Sequence, residues 1–266
     1  MRKLLLASVS IFIAACSAEP STPNQDSHLV HGPKNTTATP LYGAEVYSQD
    51  KVLFGKFVIR MKMVSQPGVV SSFFTYDNES WQGDIPWREI DIEAIGKEPD
   101  LLQTNLITGL AENRTHSENA HTVANLEEFN EFTLIWTPDK IEWQVNHEVI
   151  HKEVVSDSKQ VREMRDSPQS YRMNIWISEA INWVGRFDNQ ALPLFQVVDW
   201  IEYYEYSQGE FQLAWRDDFN DFDSHRWGKG DWGFESNLVT FNPNNVGVID
   251  GQLILALTNE NTGIEP

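Results

Sequence analysis

Three acidic residues at alternate positions form the sharpest chemical feature of the chain: Trp87-Arg88-Glu89-Ile90-Asp91-Ile92-Glu93. In an extended strand alternate side chains share a face, so Glu89, Asp91 and Glu93 point one way while Ile90 and Ile92 point into core. Like charges stacked on one face repel, and fold stability gains nothing from that. An acid-bearing strand facing water is the bland alternative; the flanking Trp87 and the aromatic-rich strands nearby weigh against it. Crowded carboxyl groups cannot all ionise easily, so one keeps its proton near neutral pH and can serve as a general acid. A retaining glycosidic cleavage uses such a pair when the two carboxyls stand about 5–5.5 Å apart. Residues four apart on a flat strand have α-carbons roughly 13 Å apart. The side chains must lean together, as a strand on the concave face of a curved sheet would permit.

The rest of the chain supplies strands to position that motif. Phe57-Val58-Ile59-Arg60-Met61-Lys62-Met63 alternates, with Phe57, Ile59, Met61 and Met63 on one face. Residues 69–76, 89–95, 101–107, 132–136 and 141–145 read as further strands, with Thr137-Pro138-Asp139-Lys140 turning the last two into a hairpin. Residues 171–177, 195–206, 211–215, 238–241 and 252–257 complete the set, and a helical turn fits only around Ser158 to Met164. Many short strands with turn signals between them predict an all-β sandwich.

Composition narrows the partners. A formal charge of -19 and a pI near 4.6 argue against nucleic acid, whose phosphates want a basic groove, and against anionic lipid or sulfated polymers. A neutral polymer stays compatible, and 10 Trp are enough to furnish a sugar-binding surface as well as a core. The one cysteine, Cys16, excludes an intramolecular disulfide. Met-Arg-Lys, an apolar run from Leu4 to Ala15, and then Cys16 follow the secretory layout, too short to span as a mature helix. Residues 17–40, rich in Ser, Thr, Pro and Asn, read as a tether, and the folded domain is expected over 41–266.

At this point the residues resemble a known family. Glu-Ile-Asp-Ile-Glu followed by Ile95-Gly96-Lys97 is similar to the signature of the family 16 glycoside hydrolases, above all the bacterial lichenases (endo-1,3-1,4-β-glucanases). Residues 70–76, Gln103-Thr104-Asn105, Arg172-Met173-Asn174-Ile175-Trp176, Trp183-Val184-Gly185 and Asp199-Trp200 follow in family order. The resemblance implies a jelly-roll of two curved antiparallel sheets. Asp218-Phe219-Asn220, Trp227 to Trp232 and Gly251 to Leu257 look like the N-terminal strands of ordinary lichenases, yet come last. That order resembles the naturally circularly permuted type. Laminarinases, agarases and carrageenases of the family usually carry one extra residue in the motif; the unbulged form here resembles lichenases and xyloglucan transglycosylases.

The resemblance also assigns roles. Glu89 becomes the nucleophile, Glu93 the general acid and then base, and Asp91 the residue that positions Glu89. Substrate contacts fall on Phe74, Tyr76, Asn78, Trp87, Gln103, Asn105, Arg172, Asn174, Trp176, Trp183, Trp232 and Phe234, with core packing the alternative for Phe74 and Trp176. Trp136, Trp143, Trp200 and Trp215 are assigned to core. Catalysis needs no cofactor, while a structural calcium is implied at Asp199, Asn220 and Gly251, the last two through main-chain oxygens. The Ile-Ala-Ala-Cys ending resembles a lipoprotein signal, making Cys16 a lipid anchor, and Ser17 after it fits outer-membrane retention. The expected partner is a β-glucan, with the monomer as default. Departures are Arg88 for the usual Asp or Val, Ala94 for a larger apolar residue, and Asn130-Glu131-Phe132 for a His-Thr-Tyr segment; these bear on subsite preference. His116, His121, His147 and His151 lack metal-ligand spacing and read as surface or loop residues. The competing expectations are the same chemistry on laminarin, xyloglucan or agar, and a non-catalytic carbohydrate-binding lipoprotein on the same scaffold.

Overall fold

A computed structural model describes residues 40–259 and 264. The expected signal segment, Cys16 and nearly all of the tether lie outside the described residues. The strands are β1 (Tyr42–Ser48), β2 (Gly55–Lys62), β3 (Val69–Tyr76), β4 (Trp87–Ile95), β5 (Leu101–Gly109), β6 (Thr115–His116), β7 (Asn119–Thr122), β8 (Asn130–Trp136) and β9 (Lys140–Val145). They continue with β10 (Glu148–Val154), β11 (Ser170–Ile177), β12 (Leu194–Ser207), β13 (Glu210–Asp217), β14 (Trp227–Lys229), β15 (Thr240–Phe241), β16 (Val246–Ile249) and β17 (Gln252–Leu257). Two sheets result. The first runs β14-β1-β11-β3-β4-β5-β6, with β15 on β1 and β7 on β5; the second runs β10-β9-β8-β2-β12-β17-β16, with β13 on β12. The expected β sandwich is what the chain forms.

Alternation explains the layering. Phe57, Ile59, Met61 and Met63 are buried to 2% exposure or less, and Ile90 and Ile92 join them from β4 in one core between the sheets. Burying such side chains stabilises by about 1.5–3 kcal/mol each. Gln196 on β12 is paired inside the sandwich: it accepts from Ser71 Oγ at 2.8 Å and donates to the Ser72 carbonyl at 3.0 Å. Trp143 on β9 reaches across the core and donates to the Asp91 carbonyl at 3.0 Å, fixing β4 from behind. That bond lies under the acidic motif.

Turn chemistry follows the residues. Thr137 Oγ1 accepts from the backbone N–H of Asp139 and Lys140, closing the expected hairpin. Ser158 caps a one-turn helix, α1 (Lys159–Glu163), by accepting from the Val161 N–H at 3.2 Å. Asp250 and Gly251, with φ of 51° and 73°, make the two-residue loop joining β16 to β17. Gly96 has no room for a Cβ, which would collide with the Gln66 carbonyl.

Three expectations need correction. The predicted strand over 238–241 is paired only at Thr240–Phe241, because Leu238 and Asn237 serve a turn against β11. Trp200 and Trp215 are half-buried rather than core: Arg216 lies over the Trp200 ring at 4.3 Å and Arg226 over Trp215 at 4.0 Å. His116 is exposed on β6 as expected, but His121 and His151, expected at the surface or in loops, are half-buried on β7 and β10 and face each other at 5.7 Å between ring centroids.

Candidate active site

Cross-strand register decides which side chains meet the acidic motif. On β3, Tyr76, Phe74 and Ser72 stand opposite Glu89, Asp91 and Glu93; on β5, Ile107, Asn105 and Gln103 do. One strand further, Ser170, Arg172 and Asn174 of β11 pair with Tyr76, Phe74 and Ser72, and Tyr47 and Glu45 of β1 pair with Arg172 and Asn174. All therefore share the outer face of the first sheet. The three acids are buried to 1%, 2% and 8% exposure. They lie at the floor of the site, not on its rim.

The floor is cross-braced. Arg172 donates to Glu45 Oε1 at 2.7 Å, Asn78 Oδ1 at 2.9 Å and Ser170 Oγ at 3.0 Å. Asn174 accepts from Ser72 Oγ at 2.6 Å and donates to Glu45 Oε2 at 3.3 Å. Trp183 donates to Gln103 Oε1 at 2.8 Å. Aromatic rings border this polar strip: Tyr47 and Trp232 are 5.3 Å apart, Trp176 lies 4.8 Å from Phe234 and 6.2 Å from Trp183, and Tyr76 is 5.3 Å from Trp87. Gly228 leaves space for the Tyr47 ring, into which any Cβ would run. Trp176 Nε1, Trp232 Nε1 and Asn105 Oδ1 are buried with no protein partner among the described residues. Such open positions are costly in a core and characteristic of a ligand site.

The acids differ in their surroundings. Burial pushes all three carboxyls well above the ordinary carboxylate range. For Glu89 a strong opposing contact exists: Trp87 Nε1 donates to its Oε2 at 2.6 Å, favouring the charged form, although the Glu93 charge works the other way. Asp91 is raised further by the charge of Glu89 and by its hydrogen bond to it. For Glu93 nothing opposes burial; the charges of Asp91 and Glu118 add to it. The carboxyls of Glu89 and Glu93 are both raised, but only Glu89 has a donor that favours its charged form, the asymmetry that acid catalysis with a nucleophile uses.

Every expected substrate residue falls on or beside this face, and Phe74 and Trp176, at 1% and 0% exposure, lie in its floor with the acids. Sequence reasoning missed Glu45, Tyr47, Ser72, Ser170, Arg114 and Glu118. The alternation Glu45-Val46-Tyr47 carried a signal for β1, but nothing local marks the others.

The contacts at the expected calcium residues are those of the protein itself. Asp199 forms an ion pair with Arg60 through Oδ2 and takes a long 3.5 Å contact from Gln252 on Oδ1, so a guanidinium already neutralises the only charged ligand of the set. Gly251 serves a tight turn, and Asn220 is exposed.

A two-sheet β sandwich carrying paired carboxyls on its outer face defines a class, and known structures share the fold. A Bacillus licheniformis beta-glucanase superposes with a TM-score of 0.52 over 63% of this chain and 78% of that one, at 23% identity. The laminarinase catalytic domain from Thermotoga maritima gives 0.51 at 17% identity, over 62% and 78%. A family model described as Glycosyl hydrolases family 16 matches residues 19–202. A beta-glucanase of Fibrobacter succinogenes is 42% identical over 233 residues, 84% of this chain and 66% of that protein's length. A Brevibacillus brevis beta-glucanase is 33% identical over 196 residues, 73% and 72% of the two chains. The chain belongs to glycosyl hydrolase family 16.

Proposed function

We propose that this protein is a retaining endo-hydrolase of mixed-linkage β-1,3-1,4-glucan. The observation that carries the reading is the asymmetry within one strand: Glu89 receives the Trp87 N–H, while Glu93 meets only burial and negative charge. Glu89 attacks the anomeric carbon and Glu93 gives its proton to the departing glycosidic oxygen, leaving a glycosyl ester on Glu89. Glu93, now a carboxylate, takes a proton from water, whose oxygen attacks the same carbon and releases Glu89. Asp91 holds the array between them. The flanking rings offer apolar faces to the C–H side of glucose, and Arg172, Asn174, Asn105 and Gln103 supply polar groups for hydroxyls. The unbulged motif and the acidic chain support a neutral glucan over a sulfated galactan.

Reducing-sugar release from barley glucan, lichenan, laminarin and agarose tests the specificity: the first two should be cut and the last two left. Rapid cleavage of laminarin alone would move the protein to a β-1,3-glucanase. A circular permutation belongs to the same proposal, supported by the family model's match ending at residue 202 while strands β13 to β17 follow it and complete the sheets. Export and anchoring of this domain at the outer membrane through a lipidated Cys16 belong to the same proposal, carried by the apolar run before it. Mass spectrometry of the N-terminal peptide would reveal the lipid, and Cys16→Ala should release the protein from membranes.

A further inference from the structure

Arg114 follows the last residue of a short turn after β5, and its guanidinium lies 3.8 Å over the ring of Trp87. That indole is the donor to Glu89, at 2.6 Å. The other basic group of the site, Arg172, is paired with Glu45 at 2.7 Å on the far side of β3. Arg114 forms no ion pair among the described residues, and its Nε is buried without a partner. A cation stacked on the back of an indole does two things. It fixes the plane of the ring, and it places a positive charge near the carboxylate the ring binds.

We propose that Arg114 is a positioning residue for glycosyl transfer, stacked on Trp87 so that the indole N–H stays on the carboxyl of Glu89. The inference rests on the hydrolytic reading above and deepens it. The groups facing Glu89 are Asp91 and Glu93 on its own strand, Tyr76 from β3, Arg172 from β11 and Arg114 after β5, with His116 beyond it on β6. Burial pulls the Arg114 guanidinium down and the Glu89 charge pulls it up, while burial and Arg114 together hold His116 below its ordinary value. His116 would gain a proton more readily once Arg114 is gone, so the test is made with His116→Gln in the background.

Arg114→Met and Arg114→Lys are compared with their parent. In Arg114→Met, kcat on soluble β-glucan should fall about tenfold with KM within about twofold, and the acid limb of kcat/KM should move up by about one pH unit. Arg114→Lys keeps the charge without the planar stack, so its acid limb should stay near the parent's while kcat is intermediate. A carbon-13 carboxyl titration of Glu89, which needs no substrate, should show the same upward displacement. An unchanged Glu89 midpoint in Arg114→Met, or a loss confined to KM, overturns the proposal. If Arg114→Met does not fold, an unchanged kcat in Arg114→Lys overturns the stacking role. A parent protein that releases no sugar defeats the hydrolytic reading instead, and the titration still decides the role of Arg114.

Discussion

Trp87→Phe isolates a single contact. The substitution keeps a ring against Tyr76 and under Arg114 but deletes the N–H that Glu89 Oε2 accepts at 2.6 Å. A hydrogen bond to a charged group contributes about 1.5–3 kcal/mol. At 1.36 kcal/mol per pKa unit, Glu89 should rise by about one to two units beyond the elevation that burial already imposes. The nucleophile must be ionised, so the acid limb of the kcat/KM profile moves to higher pH by that amount. Below the wild-type limb the rate should drop by about 10–100-fold, and above the new limb it should recover most of its value. The fold cost of trimming this buried indole stays under about 3 kcal/mol. The assay is initial-rate hydrolysis of soluble β-glucan across the acid range, with melting checked at each pH. An acid limb within about 0.3 units of wild type would refute the assignment of Trp87 as the group that keeps Glu89 charged.

Glu89→Gln and Glu93→Gln should fold normally and lose nearly all hydrolysis; near-wild-type turnover in either would remove it from the catalytic pair. The pH dependence of stability has a definite sign. The folded carboxyls of Glu89, Asp91 and Glu93 hold their protons above the ordinary values of 4.5, 3.8 and 4.5, so their stabilising contribution is complete below that range and lost as pH rises through the folded values. Melting temperature should therefore fall with rising pH above the ordinary carboxylate range, and Asp91→Asn should flatten that fall; a parallel curve would contradict it. Trp143→Phe, which strips the Asp91 carbonyl of its donor, should destabilise by about 1–3 kcal/mol in denaturant unfolding, and no change would show that the bond is replaceable. Because Arg60 already neutralises Asp199, replacing calcium by a chelator should leave the melting temperature unmoved; a clear drop would restore the ion to Asp199.

The parts of this protein that were legible in sequence are those governed by short-range rules. Period-two alternation placed Glu89, Asp91 and Glu93 on one face and Ile90 and Ile92 in the core, and the register of β3 and β5 agrees. Ser158 and Thr137 announced their cap and turn through side-chain chemistry that acts within a few residues. What escaped is long-range. Glu45 matters because β1 pairs with β11 and presents it to Arg172, a contact between residues 127 apart. Arg114 lies in a loop whose local sequence says nothing about the Trp87 ring beneath it. Arg88, noticed as a departure, ties β4 to the Glu163 carbonyl and to Asp77 and Asp166, bonds no spacing rule could foresee. The same holds at the expected calcium residue Asp199, which has a partner on β2, at Arg60, that only the folded sheet brings to it.

The central claim is that Glu89 forms a covalent bond to the sugar that Glu93 first protonates and later helps water to break. Proton NMR of the anomeric signal during the first minutes of barley-glucan digestion tests it most directly. A β-anomer appearing first and only later mutarotating to the mixture is the predicted result; an α-anomer appearing first would mean single displacement by water and would contradict the account.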